Sequence, residues 1–329
     1  KENLIRNVPE EYRHNAAALG RTAAVDLYSP LKVFSNRDTT AGDASLELGN
    51  LTWVLHSYWL QYRYSMDAKL KENLFPILKR SINYYLAVMN KEEDGKWHLP
   101  YTYSPEYSKG VTRDCNYDLS LLRWGCETLL KLNDNDELAP VWKDVLQNLV
   151  SYPTDGNGLR IGRDVAFNQS HRHYSHLLMI YPLYTMNWEQ PENRNLIEKS
   201  LNHWHSFKGA LQGYSFTGGA SMYAMMGNGD KALTCRNQLF DRYVKPNTMY
   251  LETGPVIETA LAAAASTQEL FLQSWGDKIR VFPAVPSSWK DAAFHNMRTE
   301  GAFLISAVRK DGETKWIKIK SLAGEPCII

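Results

Sequence analysis

A succession of amphipathic segments of similar length, joined by short polar or Gly/Pro loops, is what most narrows the folds open to this chain. Leu51, Val54, Leu55, Tyr58, Trp59 and Tyr62 recur at three- and four-residue spacing, the period that gathers side chains on one face of an α-helix. The same pattern predicts helices over 46–66, 68–89, 117–132, 138–150, 176–184, 196–207, 216–226, 230–243 and 256–275. Consecutive helices on short loops bury their apolar stripes as antiparallel hairpins. The segments are too many for a four-helix bundle, and their period is too irregular for a simple solenoid. A mainly α fold, an α/α toroid of stacked hairpins, accommodates them. A closed ring would want one more hairpin, and Lys1-Glu-Asn-Leu-Ile reads as the inside of a helix. The expectation is therefore a ring incomplete at its N-terminus.

After Trp275 the texture changes. Ile279-Arg-Val-Phe, Phe303-Leu-Ile-Ser-Ala-Val-Arg and Lys315-Trp-Ile-Lys-Ile-Lys are rich in β-formers, and Asp311-Gly312 between the last two is a hairpin turn. The division expected is a helical domain over 1–275 and a small β region over 276–329. The latter stops at Cys327-Ile-Ile, amid strand-like residues, as if cut short.

At 329 residues the chain can bury a sizeable core. Its 37 basic and 36 acidic side chains carry no long run of one sign, which argues against nucleic acid as a partner and against a polybasic membrane surface. No apolar run is long enough to span a membrane. Cys115, Cys126, Cys235 and Cys327 form no Cys-x-x-Cys pair, so neither a zinc site nor a disulfide framework is expected, and Cys115 and Cys126 read as packing residues. The 19 Tyr and 10 Trp supply faces that can stack on sugar rings.

Three places can carry chemistry. The first is Ser170-His-Arg-His-Tyr-Ser-His-Leu177, where His171, Arg172, His173 and His176 crowd together. Imidazoles there can bind a metal, transfer protons or hold hydroxyls. The histidine separations of two, three and five lack the four-residue step of a helical zinc pair, which makes a metal the weaker reading. Arg172 and His173 as hydrogen-bond donors to a sugar, with His171 or His176 packed or orienting a partner, stands beside a purely structural polar network. The second is Thr102-Tyr-Ser-Pro-Glu106, where Pro105 shapes a loop and Tyr101, Tyr103 and Tyr107 surround the carboxyl. Partial desolvation there would raise its pKa and suit a general acid, whereas a solvent-facing or capping loop glutamate would look the same in sequence. The third is Glu252-Thr-Gly-Pro-Val-Ile-Glu258, leading into an Ala-rich helix. Glu258 in the first turn should stay ionised beside the helix dipole, as a base would, and ordinary first-turn acidity is the alternative.

The segment His171-Arg-His-Tyr-Ser-His-Leu, with Ile180-Tyr-Pro182 after it, resembles the His-Arg-His-x-Ser-His-Leu…Tyr-Pro motif of glycoside hydrolase family 95, the inverting α-L-fucosidases. Ser104-Pro-Glu106 is similar to that family's Ser-Pro-Glu, and Gly213-Tyr-Ser with Gly227-Asn-Gly-Asp-Lys-Ala232 to its Gly-Trp-Ser…Gly-Asp-Gly-Asp-Arg-Ala. Glu269-Leu-Phe-Leu-Gln-Ser274…Val281-Phe-Pro-Ala-Val-Pro286 resembles its Glu-Met-Leu-Leu-Gln-Ser…Leu-Pro-Ala-Leu-Pro. The likeness covers roughly 50–307 in one order. It implies a six-hairpin glycosidase fold, an oligo- or polysaccharide substrate, no cofactor or metal, and a periplasmic or extracellular location. It further implies Glu106 as general acid, Glu258 as the water-activating base, and Arg172, His173, His171, His176, Glu252 and Tyr103 on the sugar. An inverting pair should stand roughly 6.5–9.5 Å apart.

The chain departs from that pattern at several points. Counted back from Glu269, the family's Ile-Asp-Gly-Asn-Phe-Gly falls on Ile257-Glu-Thr-Ala-Leu-Ala262, so glutamate stands for the catalytic aspartate. A histidine that helps hold fucose becomes Glu252, which leaves the sugar open. The family's water-positioning Asn-x-Asn has no match before a Tyr-Trp-Pro, since Asn133-Asp-Asn135 and Asn193-Arg-Asn195 lie in polar loops. It is expected upstream of Lys1, in an N-terminal part that would complete the site. Two further classes remain beside the hydrolase: a non-catalytic carbohydrate-binding relative, and a lyase or epimerase on a similar toroid using His or Tyr as base.

Overall fold

The computed structural model describes residues 2–19, 46–252 and 256–329. They form two compact units, Lys1–Trp59 with Asp67–Asn168 and Ser175–Thr185, and Leu60–Met66 with Gln169–Tyr174 and Met186–Ile329.

The first unit holds α1 (Glu2–Arg6), most of α2 (Asn50–Ser65), α3 (Ala68–Val88), α4 (Asn116–Leu132) and α5 (Ala139–Asn148). Asp67 caps α3 by accepting the Lys69 N–H at 2.9 Å. The stripe Leu74, Leu78, Ile82 and Tyr85 faces inward, as its spacing predicts. Helix α4 is buried almost all round and packs against both α3 and α5. Short two-stranded pieces fill the loops: β1 (Asn90–Lys91) with β2 (Trp97–His98), β3 (Thr102–Tyr103) with β4 (Val111–Thr112), and β5 (Thr154–Asp155) with β6 (Gly158–Leu159).

The second unit holds α6 (Arg194–Ser206), α7 (Gly213–Met225), α8 (Gly229–Tyr243) and α9 (Ile257–Gln268). Helix α7 is its buried centre, packed on α8 and α9. At Gly218 a side chain would collide with the Tyr174 ring, so glycine is what lets that ring approach. Then come the hairpin β7 (Leu272–Trp275) with β8 (Lys278–Val281), and a meander ordered β11-β10-β9. Its strands are β9 (Ala292–Thr299), β10 (Phe303–Lys310) and β11 (Glu313–Ser321). Leu272, Ile279, Phe303 and Ile305 make a common apolar core for both sheets. Asp311 and Gly312 (φ 55° and 81°) join β10 to β11. Among the described residues β11 is an edge strand, exposed throughout, with Trp316, Ile317 and Ile319 interleaved with Lys315, Lys318 and Lys320. No helix of the described residues is long and apolar enough to cross a membrane.

Two expected helices differ. Over 176–184 there is only a 3₁₀ turn, Ser175–Leu177, followed by tight turns. Pro182 cannot donate a backbone hydrogen bond and disfavours helix at Tyr181, and the run Leu177–Ile180 is buried as a block rather than as a stripe. The helix expected over 256–275 ends at Gln268, after which Leu272–Trp275 pairs as a strand across the Gly276-Asp277 turn. Strand β9 gave no clear sequence signal, because His295, Asn296 and Arg298 interrupt its apolar residues.

Candidate active site

In the second unit the histidine-rich segment is pinned by its backbone. The Trp204 indole N–H donates to the His171 carbonyl at 3.0 Å, and the Ser215 hydroxyl donates to the Arg172 carbonyl at 2.7 Å. Ser170 closes the near end by donating to the Phe207 carbonyl at 2.7 Å. Helices α6 and α7 thus fix the chain path, and the Arg172 and His173 side chains stay half-buried. His173 leans on the Tyr214 ring at 5.6 Å, and Tyr214 stacks on Tyr174 at 5.2 Å with their hydroxyls 3.0 Å apart.

Glu252 and Glu258 enter the same neighbourhood. Burial raises the Glu252 carboxyl above its usual range. The Thr259 hydroxyl, donating at 3.1 Å, and the charges of Arg172 and His173 oppose that rise, while Glu258 adds to it. Burial likewise raises the Tyr214 phenol, opposed by the Tyr174 hydroxyl and reinforced by Glu258. Glu258 is exposed in the first turn of α9. Thr253, Gly254 and Pro255 lie outside the described residues. Arg172, His173, Glu252, Glu258 and Tyr214 therefore form one mixed-charge cluster with aromatic faces, able to donate to and accept from hydroxyls.

In the first unit β3 and β4 form a short hairpin with Ser104–Gly110 as its loop. The Tyr107 N–H donates to the Ser104 carbonyl at 3.1 Å and the Gly110 N–H to the Tyr107 carbonyl at 2.9 Å. Glu106 stands on this loop with φ 57° and is exposed. The tyrosines expected to desolvate it differ from it in burial: Tyr103 and Tyr107 are buried, whereas Glu106 is exposed. Tyr107 instead packs on Phe167, which stacks on His176 at 4.3 Å. Ser104 and Ser175 hydroxyls meet at 2.8 Å, tying the hairpin to the turn that carries His176.

His176, His171 and Tyr103 are all buried. For His171 and His176 burial fits the packed or partner-orienting role that stood beside sugar contact in the sequence. Among the described residues no three His, Cys, Asp or Glu side chains gather as metal ligands would.

Beneath the hairpin lies a residue that the sequence reading passed over. The Asp118 carboxylate accepts from Thr102 at 2.6 Å and from Tyr85 at 3.0 Å, with no exposed surface. Burial pushes its pKa up to about 7, against those two donors. An acid one position before the largely apolar run Leu119–Leu122 was the available signal. Tyr214 was likewise visible, in Gly213-Tyr-Ser, and only its contacts were not.

Paired helices on short loops with a β region after them make the fold mainly α, of the α/α-toroid type. The chain belongs to glycosyl hydrolase family 95: the description "Glycosyl hydrolase family 95 catalytic domain" matches residues 3–270. It is 22% identical over 293 aligned positions to alpha-L-fucosidase 2 of Arabidopsis thaliana, covering 79% of this chain and 34% of the plant protein. A solved structure provisionally described as a kojibiose phosphorylase, from the human microbiome, superposes with a TM-score of 0.62 at 12% identity. It covers 97% of this chain and 49% of its own. The chain thus spans about a third of one relative's length and about half of the other's.

Proposed function

We propose that the chain is part of an inverting glycoside hydrolase acting on an oligo- or polysaccharide, α-L-fucosidase-like, with its helical catalytic portion over 1–275 and its β region over 276–329. Glu106 protonates the departing glycosidic oxygen from its exposed position on the hairpin loop. Glu258 activates water, with Arg172, His173 and Glu252 holding the sugar's hydroxyls beside the Tyr214 face. The observation that carries this reading is the convergence of Arg172, His173, Glu252 and Glu258 in a chain of this family. The plant relative's name supports an α-L-fucoside. Glutamate at 252, an acceptor where the resemblance expects a histidine, favours a sugar with a hydroxyl to donate there.

A panel of aryl α-L-fucosides, α-L-galactosides and neutral hexosides tests the substrate, and proton NMR of the first product anomer tests the stereochemistry. The expected outcome is inversion, with Glu106→Gln and Glu258→Gln each lowering kcat by about 10²–10⁴-fold. Retention of configuration, or full turnover in both variants, would overturn the mechanism. Glycan binding without turnover, unaffected by Glu106→Gln, would point to a carbohydrate-binding relative instead.

A further inference from the structure

We infer that the face of α8 bearing Lys231, Thr234, Gln238 and Arg242 is a binding groove for a short acidic oligosaccharide, one that carries uronate or sulfate groups. These residues follow one another at three- and four-residue steps, the spacing of a single helix face. From Lys231 to Arg242 that face runs roughly 16 Å at 1.5 Å per residue. It borders a cavity of about 310 Å³ whose floor includes His205, Phe216 and Tyr223, with Lys208 at its side.

The ends of the groove are cationic and held in place. The Arg242 guanidinium lies 5.4 Å above the Phe216 ring, and the Lys231 ammonium 5.3 Å above the Tyr223 ring. A cation propped on a ring has less freedom to surrender when an anion docks. Between the ends the chemistry is neutral and polar. Thr234 gives its hydrogen to the Asp230 carbonyl at 2.9 Å, so its oxygen is left to accept from a hydroxyl. Gln238 offers both a donor and an acceptor. Burial pushes the His205 imidazole down to about 4, which makes it an uncharged ring at neutral pH.

No carboxylate lines this cavity among the described residues. Glu198 reaches the Lys231 ammonium from outside at 3.6 Å, an exposed pair that an anion can displace. A single phosphate cannot bridge cations this far apart, and duplex nucleic acid calls for a broad basic surface that a chain with 37 basic and 36 acidic groups lacks. Acid groups at two ends and hydroxyls between them describe an acidic sugar oligomer. Carbohydrate as the class rests on the family, and the groove uses neither Glu106 nor Glu258. A solvated cationic helix face is the alternative to be beaten.

Calorimetric titration at low salt with a galacturonic acid trimer, an O-sulfated trisaccharide and neutral maltotriose tests the inference. The expected result is binding of at least one acidic trimer, with the neutral one weaker by at least about tenfold. Whichever acidic trimer binds tighter identifies the anion. The Lys231→Gln/Arg242→Gln double variant should lose about tenfold or more in affinity while its thermal unfolding stays unchanged. Lys208→Gln, an exposed single change, provides the same reading should the double variant fold poorly. Binding should persist in Glu106→Gln and Glu258→Gln, which separates the groove from the catalytic proposal. Equal affinity for the neutral trimer, equal affinity for inorganic sulfate, or unaltered binding in both the double variant and Lys208→Gln would overturn it.

Discussion

Burial holds the Asp118 carboxyl well above the ordinary range, and the sign of its effect on stability with pH can be worked out. The unfolded chain releases this proton near pH 4, while the native carboxyl keeps it up to about pH 7. Between those values the native state binds more protons, so the contribution of Asp118 to stability falls as pH rises. In Asp118→Asn that slope disappears, because the amide cannot ionise and the Thr102 and Tyr85 hydroxyls can turn to suit it. Urea unfolding at pH 5 and pH 8 should show the parent losing more stability than the variant, by roughly a few kcal/mol. Equal losses would mean that Asp118 is ionised in the native state at pH 5. At this scale the sequence was partly legible. Cys115 and Cys126 are buried packing residues, as their helical setting implied, and burial pushes both thiols up. Whether a histidine faces out or in was not legible: His171 and His173 differ by two positions, yet only His171 is buried. Their placement follows from which backbone carbonyls Trp204 and Ser215 capture, and that depends on partners more than thirty residues away.

Elements were legible where one period dominated a long segment. Helices α3 and α4 start and end within a residue or so of the sequence expectation. The segments 177–180 and 271–275 are too short for a period to separate helix from turn or strand, and there the contest was decided by Pro182 and by pairing with β8. The β10–β11 hairpin was legible from two residues alone. Asp311 and Gly312 both hold positive φ between Lys310 and Glu313, which face each other across the ladder. Replacing Gly312 with alanine at φ 81° should destabilise the protein by roughly 1 kcal/mol, read as a lowered midpoint in thermal unfolding. An unchanged midpoint would show that the hairpin is formed without help from its turn.

Across the whole molecule, motif order was more legible than geometry. Four segments in the right sequence identified the family, yet they fall in both compact units, and no spacing in the chain says which side chains converge. The near-balance of charge also acts at this scale. With an isoelectric point near 7.8, the protein carries little net repulsion close to that pH. Light scattering at fixed concentration should peak near pH 7.8 and fall on either side, and a flat profile would mean that local patches govern association instead. What form such association takes depends on β11. Among the described residues β11 is an edge strand, and its exposed Trp316, Ile317 and Ile319 would suit pairing with a second copy. In a fibril, identical strands stack in register about 4.8 Å apart, which would set each of Lys315, Lys318 and Lys320 against its own copy. The ammonium groups in such ladders would repel one another, so the strand that looks most prone to seed amyloid would carry its own brake.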